Sequence, residues 1–359
     1  MRILITPLIL YPQSSTAYYL ANNLATLFTM HGHTVAISAD KENHFHHISL
    51  YPSPICKKSI SFSKTSKRNY EEWLYANGAS KYKYLEEDYS CISKCISKFH
   101  PDLIITMDRI AAIVLARKRK IPCWTIVHSD MYKNTYFGSS CMIGINQLLH
   151  NHNLEQEFNI KSLYAKCDKR IGFGPIDVQP FHPKDDITRI GVNSIYPPNT
   201  IRTNRVCIFF QEIHKKPNHL RKMIMDAFVG APYSVYAYFP KCKPETIENI
   251  HFLQSTKAEL LPGSIACIHD GNDYFTNQCL ARGIQQLIVT NHDYIRHSNA
   301  LSAERNKFGL AIYEDELTMS KLYEQYRLLL CDDKYYYYTQ AMKKITLDEG
   351  DLTNLLEYL

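Results

Sequence analysis

The chain has 359 residues, with 41 Lys and Arg against 35 Asp and Glu, a net charge of +6, and 45% hydrophobic residues. That length exceeds one ordinary domain, and the composition is globular, not disordered. No run of about 18 apolar residues occurs, so no membrane-spanning helix is expected. The positive excess is mild and spread out, and no long basic stripe calls for nucleic acid. It remains compatible with an anionic substrate or with peripheral contact at an acidic membrane surface.

Eleven cysteines, an odd number, are scattered through apolar segments such as 206–210 (VCIFF), with no CxxC pair. This is the pattern of reduced, buried thiols, and it points to the cytoplasm, with the inner face of the membrane as a possible peripheral location. The apolar start is interrupted by Pro7 and Pro12. A buried first strand fits it better than a signal peptide.

In chain order, residues 2–6 (RILIT) read as a strand. A helix follows, with Ser15 or Thr16 as its cap and Tyr19, Leu20, Leu24, Leu27 and Phe28 at helical spacing. Gly32 ends it, and 34–38 (TVAIS) is a second strand. Strand, helix and strand at this spacing imply a parallel sheet. Residues 40–100 read as irregular in their first half and helical in their second. The unit then recurs as strand 103–106, helix 109–120 and strand 123–127, the helix ending in ARKRK, where cations suit the dipole.

Prolines 175, 180, 183, 197 and 198 make 172–204 the best linker candidate. A second α/β pattern follows: strand 205–210, helix 217–229, strands 234–239, 250–253 and 264–268, helix 273–282, and strand 286–290. Residues 315–345 read as helical. The expected fold is α/β, two Rossmann-like domains facing across a cleft. We place the N-terminal domain at 1–185, a linker at 186–204, the C-terminal domain at 205–335, and helices packing back toward the N-domain at 336–359.

The most informative stretch is 267–294, CIHDGNDYFTNQCLARGIQQLIVTNHDY. It reads as a strand, a polar turn, a helix ending at Gly283, and a second strand. In open parallel sheets ligands bind outside the carboxyl ends of the strands. Amides at the start of the helix near 273 suit a phosphate or pyrophosphate. Gly271 lets a ligand approach the backbone, and His269 is placed to donate to a phosphate oxygen. Asn277 and Gln278, one turn on, suit sugar hydroxyls. A plainer alternative is a helix capped by Asp270 or Asp273.

The order of these features resembles the nucleotide-sugar-dependent glycosyltransferases of the GT-B fold, nearest the macrolide and glucuronosyl type. Residues 260–318 run LLP, strand, polar turn, helix, Gly283, strand, Asn299-Ala300, Gly309-Leu310 and Glu316-Leu317-Thr318 in the family's order. Residues 20–38, 101–130 and 143–160 resemble segments of the family's N-terminal domain. The resemblance implies metal-independent, hexosyl-type transfer. The donor is a UDP- or dTDP-linked sugar bound by the C-domain. The N-domain binds a carbohydrate, lipid-linked, peptide or small-molecule acceptor, and no further cofactor is implied.

This sequence also departs from the family. The phosphate-binding His falls on Asp270, or on His269 with a shift of one, and family glycines become Asn272 and, depending on that frame, Asp273 or Tyr274. An acid at 4 Å from a pyrophosphate costs about 1–4 kcal/mol, so Asp270 must turn away, pair with a cation, or signal another ligand. The family's Asp-Gln pair that grips the donor sugar is replaced within 291–296 (NHDYIR), where Asp293 or His292 is the candidate substitute, so an unusual sugar is expected. The first-loop base falls at Ala17, beside Thr16, and a hydroxyl there is no base near neutral pH. Asp108, His128 and Asp130, at the ends of predicted strands, are the candidates left. A helix cap is the alternative for Asp108, and a turn histidine for His128. His150 and His152 at i and i+2 face different sides of a helix, so no metal site is expected with Glu155. A nucleotide-sugar epimerase or hydrolase, and a non-catalytic sugar- or partner-binding subunit, are the rival functions.

Overall fold

A computed structural model describes the chain except residues 10–15, 40–44, 46–47, 55–68, 133–139, 195–202 and 292. The chain forms two compact units. One comprises Met1–Phe173, Gln179–Ile190 and Leu352–Leu359; the other comprises Gly174–Val178 and Gly191–Asp351.

In the first unit, seven parallel strands run in the order β3 (Ser49–Pro52), β2 (Thr34–Ala39), β1 (Arg2–Pro7), β4 (Leu103–Met107), β5 (Cys123–Val127), β6 (Lys169–Phe173) and β7 (Thr188–Ile190). The apolar runs of β1 and β4 are buried along almost their whole length, as central parallel strands must be. Helix α1 (Thr16–Met30) buries Leu20, Leu24, Leu27 and Phe28 of the stripe that the spacing predicts, whereas Tyr19 is only partly buried. Helices α2 (Tyr70–Ala76) and α3 (Tyr82–Phe99) occupy the second half of the segment expected to be helical. Helix α4 (Ile110–Arg119) is buried continuously from Ile110 to Ala116, its last turn carries Arg117, Lys118 and Arg119, and helices α5 (Ser140–Asn151) and α6 (Ile160–Tyr164) follow.

In the second unit the order is β10 (Glu245–Ile247), β11 (Ile250–Phe252), β9 (Ser234–Tyr238), β8 (Arg205–Phe209), β12 (Ala266–His269), β13 (Gln285–Thr290) and β14 (Gly309–Tyr313). All pairs are parallel except β10 with β11. Helices α7 (Pro217–Phe228), α8 (Asp273–Arg282), α9 (Tyr294–Arg305), α10 (Met319–Cys331) and α11 (Asp333–Asp348) belong to this unit.

Both sheets share one topological property. The chain leaves the central strand in one direction, then returns to its other side. The reversal lies between β1 and β4 in the first sheet and between β8 and β12 in the second. Loops leaving the carboxyl ends of those strands diverge and open a crevice, the usual ligand position in such sheets.

The structure revises three expectations. The stretch read as irregular within 40–100 supplies the edge strand β3. The stretch read as linker contains β7, which completes the first sheet. Both are short and partly exposed, as edge strands often are, so neither carries a long apolar signal. The tail also divides: α11 stays with the second unit, whereas Leu352–Leu359 joins the first, where Lys169 lies 3.7 Å from the centre of the Tyr358 ring. Residues 174–178 are built into the second unit. Val178 shares an apolar cluster with Leu280, Ile288, Phe308 and Met342, and the Asp177 carbonyl accepts from Arg305 at 2.8 Å.

A buried ion pair anchors the first unit. Arg109, 2% exposed, donates through Nε to both oxygens of Asp88 at 3.2 and 3.1 Å and through Nη1 to the Ser38 carbonyl. It thereby joins α3, the end of β4 and β2. Removing one partner of such a pair costs about 3–5 kcal/mol, whereas apolar replacement of both is close to neutral. Asp88→Ala is therefore expected to lower the urea midpoint by that free energy, and Asp88→Leu with Arg109→Met to recover most of it.

Candidate functional site

The second unit presents its crevice where β8 and β12 end. Strand β12 stops at His269, Asp270-Gly271-Asn272 turns the chain, and α8 begins at Asp273. The cap is Asn272, whose Oδ1 accepts from the Tyr274 amide at 2.9 Å, not Asp270 or Asp273. Its Nδ2 donates to Gln211 Oε1 at 2.9 Å, which ties the cap to the loop after β8.

Asp270 is 1% exposed, and its surroundings answer the problem of an acid at this position. Its Oδ2 accepts from the amides of Gln211 at 2.8 Å and Glu212 at 2.7 Å and pairs with Arg296 of α9. Arg296 also meets Glu212 at 3.1 Å. Burial works against the Arg296 charge, but Asp270, Glu212 and Asp293 outweigh it and raise the guanidinium pKa. Glu314, at the end of β14, accepts from the amides of His214 at 2.5 Å and Lys215 at 2.9 Å. Two carboxylates from other strand ends thus hold the loop that leaves β8.

Four residues expected at the donor site do other work here. His269 is fully buried: Nε2 meets Gln286 Oε1 at 2.8 Å and Nδ1 accepts from the Gly271 amide at 3.2 Å. Both ring nitrogens are spent inside the fold, so the geometry gives His269 no donor for a phosphate oxygen. Gly271 has φ +77°, and a Cβ there would sit 2.9 Å from the Arg296 carbonyl oxygen. The absent side chain makes room for α9. Asn277 donates to the Gly191 carbonyl at 2.6 Å and accepts from the Asn193 amide at 3.0 Å. Gln278 donates to Asn193 Oδ1 at 2.5 Å. These amides clamp the strap 191–193 instead of standing open to a sugar.

Of the other expected donor residues, Asp273 accepts from Asn299 Nδ2 at 2.7 Å. Asp293 caps α9 through the Ile295 amide at 3.3 Å. His292 lies outside the described residues.

In the first unit the crevice lies where β1 and β4 end, and Asp108 stands at that point. Its φ of +60° is a left-handed conformation that Asp tolerates better than most residues and that is enriched at functional sites. The cap position of α4 falls to Arg109, so Asp108 is not the helix cap that the sequence allowed. Its carboxylate accepts from the Tyr70 hydroxyl at 2.7 Å. His128 and Asp130 follow β5, with His128 Nδ1 3.4 Å from Asp130 Oδ2 and accepting from the Asp130 amide at 3.2 Å. Gln179 covers His128 Nε2 and accepts from the Ser129 amide at 2.9 Å. His128 thus has the turn-histidine geometry, with both ring nitrogens engaged inside the fold.

The sequence reading passed over Arg296, Glu212, Gln211, Gln179 and Tyr70. Arg296 lies two residues past Tyr294, the end of the most informative stretch, and the need of Asp270 for a cation was its signal. Gln179 lies in the proline-rich segment and Tyr70 in a Tyr- and Lys-rich one, where no spacing marks them.

Burial holds the His269 imidazole below its usual pKa, against the opposing effects of Gln286 and Asp270. Below about pH 6.5 the unfolded chain takes up a proton that the folded ring resists. The stability given by the neutral ring is therefore complete above that pH. It is lost as pH falls toward the folded value. The urea midpoint should drop with acidification in this window, and His269→Gln should flatten that dependence.

No family model matches the chain, and no curated protein matches it in sequence. Solved structures do. The glycosyltransferase VinC, in complex with dTDP, superposes with a TM-score of 0.72 at 16% identity, over 100% of this chain and 98% of that one. The spinosyn rhamnosyltransferase SpnG, complexed with spinosyn aglycone, gives 0.74 at 13% identity, over 100% and 99%. SnogD from Streptomyces nogalater gives 0.69 at 13% identity, over 100% and 98%. At these identities the likeness establishes architecture: the chain has the two-domain α/β fold of the GT-B glycosyltransferases over its whole length.

Proposed function

We propose that the chain is a glycosyltransferase that moves a sugar from a nucleoside-diphosphate sugar to an acceptor hydroxyl. The observation that carries this reading is full-length likeness to solved glycosyltransferases, one holding dTDP and another an aglycone. The donor is assigned to the second unit as a dTDP- or UDP-linked sugar, and the acceptor, a small molecule, to the first. The turn 270–273, held in place by Arg296, forms the donor edge, and Asp108 is the catalytic base. We place the reaction in the cytoplasm, with no metal or further cofactor required; no described helix is long and apolar enough to cross a membrane.

The chemistry follows from the charges. Asp108 takes the proton of the acceptor hydroxyl, and the freed oxygen bonds to the anomeric carbon. The bond from that carbon to the diphosphate oxygen breaks, and its electron pair leaves with the diphosphate, inverting the centre. The positive end of the α8 dipole favours that developing charge. Asp270 opposes it little, because its own charge is already taken by Arg296 and two amides.

A second reading has one observation in its favour. Three carboxylates, Asp270, Glu212 and Asp293, act on the single Arg296 charge, and Asn277 and Gln278 are committed internally. A non-catalytic binding subunit would tolerate that arrangement. Thermal shift decides between the two. A nucleoside diphosphate at about 100 times its Kd stabilises by about 2.7 kcal/mol. A clear rise in Tm with dTDP or UDP is expected; no response to any nucleotide would favour the binding subunit. Loss of a general base costs about 10²–10⁴-fold in rate, so Asp108→Asn should abolish most transfer while leaving the diphosphate shift intact.

A further inference from the structure

We propose that Tyr70 is a positioning residue for Asp108, with Tyr164 behind it, in a buried relay Tyr164–Tyr70–Asp108 that holds the carboxylate in one orientation. This rests on the reading of Asp108 as the base. Tyr70 is 1% exposed and Tyr164 0%, whereas Asp108 is only partly buried at the crevice edge. The Tyr70 hydroxyl donates to Asp108 Oδ1 at 2.7 Å, which spends its single proton. Its contact with the Tyr164 hydroxyl must therefore be filled by the Tyr164 proton. The relay has one direction, toward the carboxylate.

The two phenols are placed by elements that fix one another. Tyr70 opens α2, capped by Asn69 on the Glu72 amide at 2.9 Å, and its ring stacks on Trp73 at 5.9 Å. Tyr164 closes α6 (Ile160–Tyr164), which starts with a capping box at Asn159 and Ser162. Glu71, 3% exposed, accepts from the Ile160 amide at 3.2 Å and joins the two helices. Packing alone would be met by two phenylalanines, because a buried hydroxyl gains nothing over a methine unless it is bonded. Tyr132 and Cys167 act on Tyr164, and Arg109, next in the chain, is taken by Asp88. Burial first, and then Asp108, push the Tyr164 phenol well above its ordinary pKa, so it stays a donor throughout an assay.

The test is a carbon-13 NMR titration of aspartate carboxyls in the full chain, with the Asp108 resonance assigned by its loss in Asp108→Asn. A hydrogen bond to a carboxylate favours its charged form. In Tyr70→Phe the Asp108 titration should move to higher pH, and in Tyr164→Phe it should move the same way by less. Release of dTDP from dTDP-glucose is followed in parallel. In Tyr70→Phe its acid limb should shift upward and kcat should fall about tenfold, as expected for one charge-assisted bond, with KM changed less than twofold. An unmoved Asp108 titration in folded Tyr70→Phe overturns the relay, whatever the rates. A moved titration with full dTDP release in Asp108→Asn keeps the relay and removes the base assignment. No release by wild type at all sinks glycosyl transfer from this donor, while the titration still decides the relay.

Discussion

The Asp270 carboxylate is buried at the end of a parallel strand and must be neutralised there. Two successive amides and one guanidinium do this. That requirement fixes the loop after β8, brings Arg296 over the crevice, and leaves room for α9 only because residue 271 has no Cβ. The edge of the second sheet is organised around compensating one buried negative charge, and the candidate ligand surface is what remains outward of it. Breaking such a pair is costly because each charge is left alone in a medium that solvates it poorly.

The first sheet solves the same problem differently. Asp88, the buried acid of its interior, is matched by Arg109, and the neighbouring Asp108 is turned the other way by a left-handed backbone step. A structural charge and a candidate chemical charge are thus separated at adjacent positions. Asp108 accepts from a neutral phenol, Tyr70, whose hydrogen bond orients the carboxylate without placing a full charge beside it.

Much of this was legible in the sequence. The apolar strands β1, β4, β8, β12 and β13 announce themselves, because a central parallel strand is buried on both faces. The helices over 16–30 and 273–282 follow from spacing and a terminal glycine. Edge strands β3 and β7 did not show, since half-exposed short strands carry no distinctive pattern. At the site, the sequence placed Asp108 and the 269–273 turn at strand ends, where topology puts them. It could not tell which polar side chains face the crevice and which are consumed inside. His269, Asn277 and Gln278 read as ligands because they are polar and near a helix start, yet their partners come from β13 and the strap 191–193, at separations that no local pattern encodes. Asp270 is the converse: electrostatics left it to turn away, pair with a cation or signal another ligand, and the structure takes the second course with Arg296.

Residues 174–178 lie in the second unit although the chain on either side of them lies in the first. A contiguous fragment starting near 191 would therefore lack Val178 and leave a gap among Leu280, Ile288, Phe308 and Met342. It would also strip the Asp177 carbonyl from Arg305 and Asn306. Recombining halves between proteins of this architecture by a single cut would thus sever one core from its own plug, whereas a graft carrying that pentapeptide would preserve it.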